Sequence, residues 1–300
     1  MFSIIIPTLN NYEYLKICIE SLKKNSRYNH QILVHVNIGS DETKNFLKKN
    51  NIEFSESSHN SGLCLSVNTA AKMAKKDYIL YSHDDFYFCP NWDDYILREI
   101  KEIGHERFYF SSTQINTYGF EDFNCGDSFL NFDEKKLLGN LSKKSFPDLQ
   151  GSTWAPHIVH KKVWEKAGGF SEEFFPGAGS DPDFNLKLWK LGIRIFKMIG
   201  KSKVYHFESK TLRDPNKFKY FNAKDLGSKS SKIFLKKWGI STKFFRKHYL
   251  KANTLFISEL KEPKMNISYL YDLIICKIKY LYIIFFSKKI ATDERKFEKI

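Results

Sequence analysis

Apolar and polar positions alternate in blocks along the first hundred residues. Ile4-Ile5-Ile6 is a β-branched run closed by Pro7 and reads as a buried strand. Leu15, Cys18, Ile19 and Leu22 recur at i, i+3, i+4 and i+7, the stripe of an amphipathic helix. Gln31 to Ile38 predicts a second strand, ending at Gly39-Ser40-Asp41. A Lys- and Asn-rich helix follows, then a weak strand near Ile52-Glu53-Phe54. After the turn His59-Asn60-Ser61-Gly62, a helical stripe runs through Val67, Ala70, Ala71 and Ala74. Tyr78 to Tyr81 is the next strand, and it delivers His83-Asp84-Asp85 at its C-terminal end.

Farther on, Ile96, Leu97, Ile100 and Ile103 predict a helix over 93–103, and Phe108-Tyr109-Phe110 a strand. Residues 113–150 are poorly periodic and read as loops with a helix near 134–141. Lys161 to Ala167 is a short helix stopped by Gly168-Gly169. Asp181-Pro182 opens another that ends at Gly192, and strands are expected at 194–199 and 203–207. After about residue 215 the pattern turns helical and basic. Strand–helix alternation with short connections predicts an α/β fold, a mostly parallel sheet flanked by helices. In such sheets ligands bind beyond the carboxyl ends of the strands. Thr8-Leu9-Asn10, Gly39-Ser40 and Asp84-Asp85 all fall at such ends, so three polar clusters are aimed at one crevice.

Composition refines this picture. The 300 residues are 42% hydrophobic and 16% aromatic, ample for one large domain or two modest ones. The net charge of +14 is uneven: residues 1–200 carry 24 basic and 25 acidic side chains, residues 201–300 carry 24 and 9. The basicity belongs to the last third and marks it for a different partner. Five widely spaced cysteines without a C-x-x-C argue against a disulfide framework or a zinc site, and for a reducing cytosol. The first residues lack the basic n-region of a signal peptide. Ile267 to Phe286 has the length of a membrane span, but Asp272, Lys277 and Lys279 interrupt it. Each costs roughly 2.5–3.5 kcal/mol near a bilayer centre, while each Leu, Ile or Phe returns only about 0.3–0.6. An amphipathic helix lying on a membrane or packed on the rest of the chain is expected instead. No nucleic-acid motif accompanies the basic charge, and the acids cluster where phosphate chemistry would occur.

Three sites carry candidate chemistry. Asp84 and Asp85 repel each other unless a cation or polar ligand lies between them. Mg²⁺ or Mn²⁺ prefers oxygen ligands and bridges carboxylates to substrate phosphates; a solvated turn is the plain alternative. In Asp181-Pro182-Asp183 the leading reading is a helix cap, since Asp favours the N-cap and Pro the first helical position. A general base at the crevice mouth is the other. His206 ends an apolar strand and can supply a metal ligand or a phosphate contact.

Seven segments in order carry a resemblance. They are Ser3–Asn10, Val36–Asp41, Asn60-Ser61-Gly62 with Asn68, Tyr78–Asp85, Phe86–Asp93, Gly168–Phe174, and Asp181 with the late Val204-Tyr205-His206-Phe207. Together they resemble the inverting nucleotide-sugar glycosyltransferases of family 2, which have the GT-A fold, over roughly residues 2–210. Three departures stand out: His83 replaces the first Asp of the family's Asp-x-Asp, Asn37-Ile38 its paired acids, and Ser180 the Glu of its Glu-Asp motif.

The resemblance implies a catalytic domain over 1–215, with a nucleotide and metal half to about 110 and an acceptor half over 111–215. A basic, largely helical region over 216–300 follows, with membrane association as its expected role. It implies Asp181 as catalytic base, and Asp85 with His206 as ligands of Mn²⁺ or Mg²⁺. Pro7, Thr8, Asn10, Asn37, Gly39, Asn68, His83 and Asp84 would bind the nucleotide sugar. The expected partners are a UDP- or GDP-sugar, a glycan or glycolipid acceptor of surface polysaccharide synthesis, and an anionic membrane surface. The expected location is the cytoplasm, peripheral on the inner membrane face. The competing reading is an inactive nucleotide-sugar- or glycan-binding module.

Overall fold

The computed structural model of the protein describes residues 1–115, 125–207 and 223–286, with the backbone alone for 223–227. A run of strands and helices opens the chain: β1 (Phe2–Thr8), α1 (Tyr12–Asn25), β2 (Gln31–Asn37), α2 (Asp41–Lys49), β3 (Glu53–Ser57), α3 (Gly62–Ala71) and β4 (Tyr78–Tyr81). Each predicted apolar run up to Tyr81 becomes one of these elements. The middle of the chain is β5 (Phe86–Phe88), α4 (Trp92–Ile103), β6 (Phe108–Ile115), α5 (Glu134–Leu141), β7 (Leu149–Gln150), β8 (His157–His160), α6 (Lys161–Ala167), α7 (Ser180–Lys190) and β9 (Ile195–His206).

One sheet joins them in the order β3-β2-β1-β4-β8-β6-β9-β5, with β7 on β9. The half formed by β3, β2, β1 and β4 is parallel throughout. Its register runs from Ser3 against Gln31 to Thr8 against Val36, and from Phe2 against Tyr78 to Ile5 against Tyr81. Thr8, Asn37 and the residues after Tyr81 therefore emerge side by side at one sheet edge. β8 enters antiparallel between β4 and β6, and β5 pairs antiparallel with β9.

Two expectations change. The strands at 194–199 and 203–207 are one twelve-residue strand, because a bulge absorbs residues 200–202 between the pairs Ser112–Ile199 and Thr113–Lys203. Asp181 is not a helix cap. Gly179 holds that position at φ +86°, a conformation suited to glycine, and the helix already starts at Ser180.

The main core fills both faces of the sheet and includes Ile4–Ile6, Leu15, Val67, Phe86, Trp92, Phe110, Phe170 and Phe184. Phe234, Phe245, Leu250 and Leu260 from the basic region join it. Hydrogen bonds from Gln150 N to Thr254 O (2.7 Å) and from Asn253 N to Gln150 O (3.0 Å) fasten that region to β7. The boundary expected at 215/216 lies outside the described residues. The helix Ile267–Phe286 buries Tyr269, Cys276 and Ile283 in a satellite cluster with Leu235 and Phe244. Among the described residues no helix is long and apolar enough to cross a membrane. All five cysteines are buried and none forms a disulfide.

Candidate active site

The crevice beyond the parallel strands is lined by Pro7, Thr8 and Asn37 from β1 and β2, His83, Asp84 and Asp85 from the turn after β4, and the segment from Pro176 to Asp181. Thr8 ends β1 with its hydroxyl donating to Asp84 Oδ2 at 2.7 Å, a buried contact that fixes this carboxylate across the crevice floor. The Asn37 amide accepts from Ser61 N (2.9 Å) and donates to Asn60 Oδ1 (2.9 Å), so it shapes the loop leading into α3. Cys18 lies beneath the acid pair. Burial first, then the charges of Asp84 and Asp85, push its thiol well above the usual range.

Asp85 gathers two imidazoles. β5 pairs with β9 so that Phe86 faces His206, and Phe207 N donates to Asp85 O at 3.1 Å. That register brings His206 Nε2 to 3.4 Å from Asp85 Oδ1. Its Nδ1 lies 3.3 Å from Gln114 Oε1, an acceptor that favours the proton on Nδ1 and leaves Nε2 bare to share a cation with Asp85. His83 stacks on the Phe86 ring, centroids 5.0 Å apart, with Nδ1 at 3.8 Å from the same Asp85 oxygen. One ligand atom from each of His83, Asp85 and His206 lies within 4.8 Å of the others. Burial lowers the pKa of His83, which favours the neutral, ligating imidazole. Two nitrogens and one carboxylate oxygen in this arrangement fit a divalent cation.

Asp181 and Asp183 sit in the same helical turn but in opposite surroundings. Asp183 is fully buried, accepting from Ser171 Oγ (2.7 Å) and Trp238 Nε1 (2.8 Å) and pairing with Lys237 Nζ (2.9 Å). Asp181 faces the crevice with its side chain 23% exposed, while its Oδ1 points inward. It alone of the two is available to a ligand. The segment before it is pinned by Leu63 N donating to Pro176 O at 2.8 Å.

Not every expected residue lines the crevice. Asn68 clamps Phe170 instead, donating to its carbonyl and accepting from its amide, both at 2.8 Å. Asn10 is exposed at the end of the β1 loop, and Gly39 sits against Val36, where a Cβ would lie 2.0 Å from Cγ1. The structure adds Tyr81, Leu63, Ser66 and the Gly177-Ala178-Gly179 segment to the lining. A Gly-rich stretch just before a helix was the available signal for the last of these.

A parallel half-sheet with acids and imidazoles at its carboxyl edge, faced by a carboxylate from a later helix, is where an open α/β fold binds its ligand. Residues 3–157 match the family described as glycosyl transferase family 2. The chain belongs to that family. No curated protein matches it. Among solved structures, S. aureus TarS superposes with a TM-score of 0.56 at 15% identity, over 96% of this chain and 44% of the TarS chain. TarS 1-349 in complex with UDP gives 0.53 at 15%, over 98% and 75%. The same fragment with UDP-GlcNAc gives 0.54 at 14%, over 94% and 80%. The likeness is one of fold, and this chain spans less than half of the longer TarS chain.

Proposed function

We propose that the protein transfers a sugar from a nucleotide-diphosphate sugar to a hydroxyl of a glycan or lipid-linked acceptor, by one inverting displacement. The observation that carries this reading is the convergence of Thr8, Asn37, Asp84, Asp85 and Asp181 on one crevice. Complexes of the TarS fragment with UDP and UDP-GlcNAc support a UDP-sugar as donor over a GDP-sugar.

In this mechanism Asp181 takes the proton of the acceptor hydroxyl. The freed oxygen forms the new bond to the anomeric carbon from the face opposite the nucleotide. The bond to the diphosphate oxygen breaks, and its electron pair leaves with the nucleotide. Pro7, Thr8 and Asn37 wall the nucleotide pocket, and Asp84, held by Thr8, offers an acceptor for ribose or sugar hydroxyls. His83, Asp85 and His206 would hold a divalent cation, which when bound offsets charge on the departing diphosphate. We read residues 1–215 as the catalytic domain and 216–300 as a basic region docked on it. An exposed apolar stripe on the helix Ile267–Phe286 supports attachment of that region to an anionic membrane face.

The test is transfer and donor hydrolysis across UDP- and GDP-sugars, with and without Mn²⁺. Asp181→Asn is expected to keep nucleotide affinity and lose about 10²–10⁴-fold in transfer. Unchanged transfer would remove Asp181 from the role of base. Absence of turnover with every donor would favour the inactive binding module.

A further inference from the structure

Behind Asp181 lies a histidine that nothing in the mechanism yet uses. His157 opens β8, the strand inserted between β4 and β6, and is 1% exposed. Its ring is caged by aromatic side chains: Tyr109 at 4.7 Å between centroids, Tyr81 at 5.2 Å, and Phe184, stacked, at 5.7 Å. Neither ring nitrogen has a hydrogen-bonding partner among the described residues. Burying an imidazole without partners is costly, and an apolar ring would fill the same cage without that cost. It pairs with Asp181: Nε2 lies 3.5 Å from Oδ1, the inward oxygen, which has no hydrogen bond among the described residues. Catalytic hydrogen bonds are often this long before substrate binds, and shorten in the complex.

We infer that His157 is a positioning residue for the base: its Nε2–H holds Asp181 Oδ1 so that the other oxygen faces the acceptor hydroxyl. This rests on the reading of Asp181 as base. The arrangement separates the two carboxylate oxygens by task, the buried one anchored and the crevice-facing one accepting the proton. The other titratable groups around Asp181 leave this task to His157. The Tyr109 hydroxyl on β6 donates to Trp154 O at 3.3 Å, and the Tyr81 hydroxyl on β4 makes no hydrogen bond to Oδ1. His83 is lowered by burial and turned to Asp85. Asp183, on the same helix, is committed to Ser171, Trp238 and Lys237.

The experiment compares wild type, Asp181→Asn, His157→Phe and His157→Gln in steady-state transfer. Phe keeps the aromatic packing and removes the donor; Gln restores an N–H. His157→Phe is expected to lower kcat about 10–100-fold, leave the KM for donor unchanged, and move the acidic limb of the kcat profile to higher pH. The direction follows because an ionised carboxylate that loses a hydrogen-bond donor is harder to form. His157→Gln should recover most of the rate. The inference is overturned if His157→Phe keeps kcat and its pH profile, or if Gln is as impaired as Phe. If His157→Phe does not fold, His157→Leu carries the same expectation against Gln. Asp181→Asn separates the two claims: full activity there sinks the base itself, whereas a loss there with an unaffected His157→Phe sinks only the anchor.

Discussion

A carboxylate that accepts a proton in a reaction must keep one oxygen out of the packing. Asp181 does and Asp183 does not, although one residue separates them. The same reasoning applies to the metal-site side chains. Two imidazoles beside one carboxylate make a softer donor set than an all-oxygen site, so Mn²⁺ or Co²⁺ should stabilise the protein more than Mg²⁺. Thermal-shift titrations should show that order, and His83→Asp should narrow the gap by restoring an oxygen ligand. An unchanged gap in His83→Asp would remove His83 from the ligand set. His35, on β2, gives a pH-dependent prediction. Burial lowers its imidazole to about 4, whereas the unfolded value is about 6.5. Between those values the unfolded chain binds more protons, so stability falls as the pH drops through this window. His35→Gln should lose less stability between pH 7.5 and pH 5 than wild type, measured by urea midpoints.

At the scale of elements, α7 is the piece that turns sequence into geometry. Gly179 starts it, the packing of Phe184 seats it, and Asp183 ties it to the helix Ala223–Trp238 through Trp238 and Lys237. Asp183→Ala removes the buried acceptor of Ser171 Oγ and Trp238 Nε1, while Lys237 keeps Glu173, and should cost about 1.5–3 kcal/mol in chemical denaturation. Asp181→Asn should cost less than about 1 kcal/mol, since the inward contact to His157 Nε2 is long at 3.5 Å and an amide oxygen can still accept there. Equal losses would mean that the two carboxylates share one structural role. β5, β7 and β8 are strands the sequence reading passed over. Phe86-Tyr87-Phe88 is too short to carry a period. Ile158-Val159 sits between two histidines, after Pro156, and reads as neither helix nor strand.

For the whole molecule, charge and apolar surface fall on the same side of the chain. Tyr271, Ile274, Ile278, Leu281, Tyr282 and Phe285 form an exposed stripe on the helix Ile267–Phe286, with Lys277 and Lys279 on the same helix. Lys247 reaches the start of that helix through Ser268 and Asp272, beside exposed Lys243 and Lys251. Apolar area together with basic charge is what an anionic lipid surface recognises. Wild type is expected to sediment with vesicles rich in anionic lipid, less so as salt rises. The double variant Ile274→Glu, Ile278→Glu should stay in the supernatant with its donor hydrolysis intact. Equal sedimentation of the two proteins would leave the stripe without a membrane role.

The sequence by itself determined the parallel half-sheet and the polar clusters at its edge. Strand runs such as Ile4-Ile5-Ile6 and stripes such as Leu15 to Leu22 are local signals, and the βαβ rule then sends Thr8, Asn37 and Asp84-Asp85 to one side. It also marked Asp181, Asp85 and His206 as residues to watch, by their order along the chain. Only the tertiary structure decided what each of them meets. The β5–β9 register brings His206 to Asp85, and with it His83, which the sequence assigned to the donor sugar. The insertion of β8 between β4 and β6 sets His157 behind Asp181. Both depend on pairings between residues far apart in the chain, and the periodicity of either segment carries no record of its partner.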